Sequence, residues 1–303
     1  MTKPFDVYVY GMTVLSTIHR LKGPFPQADT YQEITQTTVM PGGEGGNAAI
    51  LLSHWGLTTQ LDGCMFSEAT AKPLLAYFDR YGVDCSLLPT PPDFTGWRDI
   101  VFCDGESRTV FGWFQQHFSG KRRWWTEPSE ASIAAARCVA LDPFFGATSQ
   151  RVAELCVQHG TDYVTLDARW DDALAQNARA IACSKEFLES AYPGADYGAL
   201  LEQYRRACRG LVVFTFGSKE MLYAAPEMEH PAVLPTYPVT VQDTLAAGDT
   251  FRAGLVYGVV KGLSAEATVR FAAAAAAVAC TRFPSILEPP SLTEIQSLME
   301  KFA

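Results

Sequence analysis

The sequence predicts an α/β protein, with a mostly parallel central sheet covered by helices on both faces and a smaller sheet laid over it. Three observations predict this. Apolar strand-like runs at residues 138–141, 162–166 and 211–216 alternate with helical patterns at 149–159 and 197–208. Alternation at that spacing produces parallel strands joined by helical crossovers. Segments 31–39 and 98–114 interleave polar residues with β-formers, which does not suit a strand buried on both faces, so they are assigned to the smaller sheet. From residue 250 onward the pattern is helical.

The elements follow in order. Residues 5–10 form a first strand that ends at Gly11, and 31–39 a half-exposed strand. The glycine cluster Gly42-Gly43-Glu44-Gly45-Gly46-Asn47 precedes a helical run at 48–55. A strand is expected at 57–63, a helix at 71–81 and a strand at 84–88. Residues 98–103 and 108–114 read as two strands joined through Asp104-Gly105, a strong hairpin signal. The last third holds helices at 250–261, 265–281 and 292–302, the second capped by Ser264 and the third by Ser291. No repeat or linker splits the chain, so residues 1–303 are expected to be one domain, with the smaller sheet drawn from roughly 12–40 and 95–116.

Composition narrows the function classes. The chain has 303 residues, 48% hydrophobic and 19% charged, with a net charge of −9, which is ordinary for a soluble enzyme and wrong for a nucleic-acid binder. Its densest basic run, Lys121-Arg122-Arg123 before Trp124-Trp125, is read as a surface patch. Eight scattered cysteines without a C-x-x-C pair suit a reducing cytoplasm and exclude a zinc site of that type. Lys3, Pro4 and Asp6 interrupt any signal-peptide core, and the longest apolar stretch, 271–280, is too short to span a bilayer. No membrane partner is expected.

Two segments carry chemistry. In 239–251, a β-rich run gives way to Leu245-Ala246-Ala247-Gly248, then Asp249 and an apolar helical pattern. A helix N-terminus aims free amides at one point, which suits a phosphate, and Asp249 beside it is placed to take a proton from a hydroxyl. The plainer alternative is that Asp249 caps the helix and Gly248 relieves a turn. In the upstream cluster, four glycines in five positions permit close approach of a ligand, and Asn47 offers a donor and an acceptor to a polyol. A glycine turn capped by Asn47 is the plainer alternative there. No Gly-Lys-Ser/Thr follows, so this is not a Walker loop.

Together the two segments resemble the PfkB, or ribokinase, family of sugar and nucleoside kinases. Gly42-Gly43-Glu44-Gly45-Gly46-Asn47 is similar to the family's G-G-x-x-x-N signature, and Asp243-Thr244-Leu245-Ala246-Ala247-Gly248-Asp249-Thr250-Phe251 to its D-T-x-G-A-G-D-T-F signature. Asp104-Gly105-Glu106-Ser107-Arg108-Thr109 looks like the hairpin of the family's lid, and Thr215-Phe216-Gly217-Ser218 like its T-L-G-S strand end. The resemblance implies a three-layer α/β/α sandwich with a β lid, and ATP-dependent phosphorylation of a hydroxymethyl group on a small carbohydrate. Asp249 would be the base, with Ala246, Ala247 and Gly248 as the anion hole. Ser16, Gly42, Gly43, Asn47, Asp142 and Arg108 would bind the sugar. Ser184, Thr215, Gly217, Ser218 and Ala275 would line the ATP site. Glu186 would act on Mg²⁺ through water, and Asp243 would lie near a monovalent cation. A homodimer through the lid is implied too, as are the alternatives of a nucleoside kinase and a non-catalytic sugar- or nucleotide-binding regulator.

The sequence departs from the family in several places. Ser184-Lys185-Glu186 occupies the N-x-x-E position, as in ketohexokinase-like members. Ser16 stands where many sugar kinases carry an Asp, a weaker grip on hydroxyls. Pro284 replaces a glycine of potassium-activated members, which argues against cation activation. Trp97, Trp113 and Phe114 are placed by the lid reading where they would stack on a sugar face or form a dimer contact. Asp142 and Arg169 follow strand ends near the substrate side.

Overall fold

The computed structural model describes residues 4–105 and 107–302; Lys3, and Glu106 of the hairpin motif, lie outside them. The chain begins with β1 (Phe5–Gly11), β2 (Val14–Leu21), β3 (Ile34–Gly42), α1 (Glu44–His54), β4 (Thr59–Gly63) and α2 (Glu68–Arg80). Then come β5 (Arg98–Cys103), β6 (Arg108–Gly112), α3 (Phe114–Phe118), α4 (Glu130–Ala135), β7 (Ala136–Leu141), a 3-10 turn at Pro143–Phe145, α5 (Ala147–His159) and β8 (Asp162–Leu166). The rest is α6 (Ala173–Gln176), β9 (Ala180–Ser184), α7 (Lys185–Ala191), α8 (Tyr197–Ala207), β10 (Leu211–Thr215), β11 (Met221–Ala224), β12 (Ala232–Leu234), α9 (Ala247–Lys261), α10 (Ala265–Ala279) and α11 (Leu292–Lys301).

Eight strands form the central sheet in the order β12-β11-β10-β9-β8-β7-β1-β4. It is parallel from β4 to β10, and only the edge pairs of β11 are antiparallel. Side-chain alternation splits each strand between two cores. On β1, Val7 and Val9 belong to the core shared with α1, α9 and α10, while Tyr8 and Tyr10 belong to the core shared with α4, α5 and α8. That is the three-layer arrangement. Each Val, Leu or Phe buried this way contributes about 1.5–3 kcal/mol of apolar transfer.

The second sheet has the order β3-β2-β5-β6. β2 runs antiparallel to β3 and parallel to β5, with Ser16 opposite Asp99. Val14, Ser16, Ile18, Asp99, Val101, Arg108 and Val110 face a cavity between the sheets. The other face carries an aromatic cluster in which Phe102 meets His19 at 5.1 Å, Phe25 at 5.8 Å and Phe111 at 5.9 Å.

Several expectations need correction. Residues 84–88 are not a strand; Asp84 makes one isolated bridge to Gln60. β2 is a full strand that the polar residues Ser16, Thr17, His19 and Arg20 disguised, β9 (Ala-Ile-Ala-Cys-Ser) lacks the large apolar side chains of its neighbours, and β11 and β12 are too short to stand out. The helix expected from residue 48 begins at Glu44, so the second half of the glycine cluster is its first turn and Asn47 is helical, not a cap. Ser264 and Ser291 cap α10 and α11 as expected. The basic-aromatic patch closes on itself: Arg122 pairs with Asp93 and lies 4.3 Å over the Trp124 ring, and Arg123 pairs with Glu127 at 2.6 Å. No helix among the described residues is long and apolar enough to cross a membrane.

Candidate active site

The parallel strands end in a row along one edge of the central sheet. Gly11, Asp142, Asp167, Ser184 and Thr215 all stand there, where α/β sheets bind ligands. Above the β1 end, the second sheet forms one wall of an open cavity of about 520 Å³. Its walls hold Ser16, Gly42, Gly43, Glu44, Asn47, Asp99, Arg108, Gly248 and Asp249, brought together from opposite ends of the chain.

Asn47 and Asp249 meet at its floor. Asn47 Nδ2 donates to Asp249 Oδ2 at 2.6 Å, across 202 residues of sequence. The bond is possible because α1 starts early. Gly43 precedes it with φ 81° and ψ 147°, a conformation essentially restricted to glycine, and a Cβ there would lie 2.6 Å from the Met12 carbonyl. The turn that carries Asp249 is tight as well. Ala246 is left-handed, with φ 61°, and precedes α9. Asp249 therefore lies in the first helical turn and is not the cap, which disposes of the plainer alternative. Ala247 N–H bonds to the Thr244 carbonyl at 3.2 Å and Thr250 N–H to Ala246 at 2.9 Å. Gly248 and Asp249 come too early in α9 to reach a helical carbonyl four residues back. Their amides, with the positive end of the helix dipole, point at the space beside the carboxylate.

A guanidinium underlies this floor. Arg252, three residues after Asp249, is 2% exposed and pairs with Asp142, which is 0% exposed. It also donates to the Glu44 carbonyl at 2.8 Å. The other Asp142 oxygen accepts the Met12 amide at 2.6 Å. Asp142 thus does not line the cavity; the substrate contact expected of it is corrected to a support of the β1 end, because both oxygens are occupied inside the protein. Burial pushes its carboxyl up, and Arg252 opposes that. Burial would lower Arg252, but the charge and hydrogen bond of Asp142, with the charges of Asp249 and Glu44, together outweigh it and raise the guanidinium. Glu44 is pushed up to about 8, first by burial and then by the charges of Asp249 and Asp142.

The remaining expected residues fall elsewhere along the edge. Ser184 caps α7 by accepting the Phe187 amide at 3.1 Å, and its hydroxyl donates to Asp167 at 3.1 Å, so it is spent within the protein. Glu186 is exposed in the first turn of α7 and raises the Asp167 carboxyl, behind the larger effect of burial. Thr215 ends β10, with Gly217 and Ser218 exposed just beyond. Ala275 is 0% exposed in the core beneath α10 and is closed to a ligand; Ala276 and Ala277 are the partly open alanines of that helix. Asp243 is buried, with Oδ1 bonded to the Leu245 amide at 3.1 Å and Oδ2 unpartnered. Trp97 is buried in the core and Trp113 lies under Arg98, so of the three lid aromatics only Phe114 reaches the cavity, joined there by Phe118 and Phe144. Arg169 is tied to Asp171 and to the Ala191 carbonyl. Sequence reasoning missed Arg252, Glu44 and Asp99. The first was signalled by a lone charge inside an apolar helix, while the other two had no signal.

Residues 5–291 match the family described as pfkB family carbohydrate kinase. The chain belongs to that family. Within it, the chain is 26% identical over 291 residues to an acarbose 7(IV)-phosphotransferase of Actinoplanes sp., covering 93% of this chain and 94% of that protein. It is 21% identical over 270 residues to a ribokinase of Lactococcus lactis, covering 87% of each. The ribokinase of Arabidopsis thaliana, solved with ribose and ATP, superposes with a TM-score of 0.80 over 98% of this chain and 99% of that one, at 18% identity. The fold of this pfkB-family member is therefore ribokinase-like.

Proposed function

We propose that the protein transfers the γ-phosphoryl group of ATP to a hydroxymethyl group of a small carbohydrate, with residues 1–303 acting as one unit under the β lid. The observation that carries this reading is the Asn47–Asp249 hydrogen bond, which sets a carboxylate beside the free amides of a helix N-terminus in the cavity under the second sheet. Asp249 accepts the hydroxyl proton while that oxygen bonds to the γ-phosphorus; the bond to the bridging oxygen breaks, and ADP leaves. The Gly248 turn, with Ala246 and Ala247 shaping it, stabilises the charge that builds on the transferring group. Gly42, Gly43, Asn47, Ser16 and Arg108 orient the sugar. ATP would run along the sheet edge past Thr215, Gly217 and Ser218.

Mg²⁺, when bound with ATP, neutralises charge on the phosphate oxygens. Among the described residues no group of three His, Cys, Asp or Glu forms a metal cage. Both oxygens of Asp167 accept from Ser184, so the exposed Glu186 beside it would hold such an ion through water, with phosphate supplying most of its ligands. Asp243, with one unpartnered oxygen, is the group that a monovalent cation would meet.

Phe114, Phe118 and Phe144 on the cavity wall favour one second reading, a nucleoside acceptor whose base stacks there. A non-catalytic regulator would have no use for a carboxylate at the anion site. The aromatic outer face of the lid supports a homodimer, and a reducing cytoplasm suits the eight free cysteines.

The test is ATP consumption by wild type and Asp249→Asn over a panel of sugars and nucleosides. The expected result is turnover with at least one sugar and a loss of about 10²–10⁴-fold in kcat in the variant. Equal, near-zero rates with every acceptor would overturn the kinase reading.

A further inference from the structure

Asp99 projects from β5 into the cavity, and nothing in the fold accounts for it. Its Oδ1 is buried and has no hydrogen-bond partner, and no cation pairs with it among the described residues. The same sheet face presents Val14, Ile18, Val101 and Val110 to the cavity, with Ser16 and Arg108 as its other polar groups. Leaving a buried carboxylate in such surroundings costs stability and is retained where a ligand satisfies it.

One neighbour interacts with it. β2 and β5 pair in parallel with Ser16 opposite Asp99, which sets the Ser16 hydroxyl beside the carboxylate. Ser16 also touches the sugar side of the site, since a Cβ on Gly42 would fall 2.2 Å from its Oγ. Burial pushes the Asp99 carboxyl up to about 6, and Ser16 pulls it back.

A second acceptor in the same cavity is also unpartnered: Asn47 Oδ1. Two buried acceptors without donors in one cavity suit a ligand that carries hydroxyl donors on a carbon frame. An ammonium would satisfy the first acceptor, but Asn47 Oδ1 and the Ser16 hydroxyl are neutral groups suited to hydroxyls.

Resting on the kinase reading above, we propose that Asp99 is a specificity-determining residue that grips a hydroxyl of a neutral polyol substrate, working with Ser16 across the β2–β5 pair, while Asn47 and Asp249 hold the acceptor hydroxyl. The lid strand register, and not the residue at position 16 alone, supplies the carboxylate that discriminates among sugars.

The test compares wild type, Asp99→Asn, Asp99→Ala and Ser16→Ala with D-ribose, D-fructose, D-glucosamine, adenosine and the monodeoxy analogues of the best acceptor. Binding is read by calorimetry and turnover by ATP consumption. Loss of a charged hydrogen bond should raise the Kd and KM of both Asp99 variants about 10- to 100-fold, with a smaller change in kcat. One deoxy analogue should bind wild type weakly by a similar factor, yet bind Asp99→Ala no worse than the parent sugar. Melting temperatures of the Asp99 variants should equal or exceed that of wild type, because a buried unpaired charge is removed; a purely structural Asp99 would lower them.

The grip is overturned by unchanged Kd and KM in the Asp99 variants, by undiminished discrimination against every deoxy analogue in Asp99→Ala, by absence of neutral-sugar binding to wild type, or by an Asp99-dependent preference for D-glucosamine. Failure of the kinase reading is separate. Sugar binding that depends on Asp99 without any phosphorylation would sink the kinase and leave the grip standing. Phosphorylation indifferent to Asp99 would do the reverse.

Discussion

Arg252 ties three segments together. It bonds Asp142 after β7 and the Glu44 carbonyl at the start of α1, and Asp249 lies one turn earlier on its own helix. Replacing it by Met keeps most of the volume but leaves Asp142 buried without a counter-charge, which should cost about 3–5 kcal/mol in urea unfolding. Adding Asp142→Asn should recover a large part of that loss, and failure to recover would mean that Arg252 acts by packing alone. Glu44 gives a second residue-scale expectation. Its folded-state value of about 8 lies above its ordinary 4.5, so the folded chain holds the proton more tightly than the unfolded chain does. Stability from this group is therefore lost as pH rises from about 4.5 towards 8. Glu44→Gln should remove that slope, so its advantage over wild type in unfolding free energy should grow between those pH values. A variant that tracks wild type at both ends would show that Glu44 ionises normally.

At the scale of elements, the start of α1 is where local preference and tertiary structure disagree. Glycine disfavours helix, and a reading by propensity alone places the helix start at residue 48. The fold begins it at Glu44 because the chain must turn sharply under Met12, and only the φ 81° of Gly43 allows that. Gly43→Ala should cost about 1–3 kcal/mol in stability. It should also raise the KM for the accepted sugar, since Asn47 rides on the same helix; a stable variant with unchanged KM would show that α1 tolerates another entry. The same contrast explains the short strands. β2 reads Val-Leu-Ser-Thr-Ile-His-Arg-Leu without a regular alternation, because its cavity face mixes Ser16 with Val14 and Ile18, so the period-2 signal of a strand is lost. β7, β8 and β10 are buried on both faces and read as apolar runs, so they were legible.

The whole molecule places its second sheet like a roof over the strand ends. The inner face of that sheet lines the cavity, and the outer face exposes Phe25, Ile34, Val39 and Phe111 at 39–49%. Covering that face is the role of the proposed dimer. Phe111→Lys should convert the protein to a monomer in light scattering while leaving its melting temperature within a few degrees, surface changes being worth about ±0.5 kcal/mol. A wild type that is already monomeric would reject the dimer.

The Asp249 turn and the glycine cluster were readable because their chemistry depends on local backbone: a helix N-terminus, small residues and an acid at fixed spacing. With the alternation of apolar runs, they were enough to determine the fold class and the family. The substrate side was decided by tertiary structure. Asp99 meets Ser16 only through the register of β2 on β5, Arg252 meets Asp142 only across 110 residues, and the closed position of Ala275 depends on which face of α10 its neighbouring helices cover. A sequence records spacing along one chain, whereas pairing across strands and burial between layers exist only after the chain has folded.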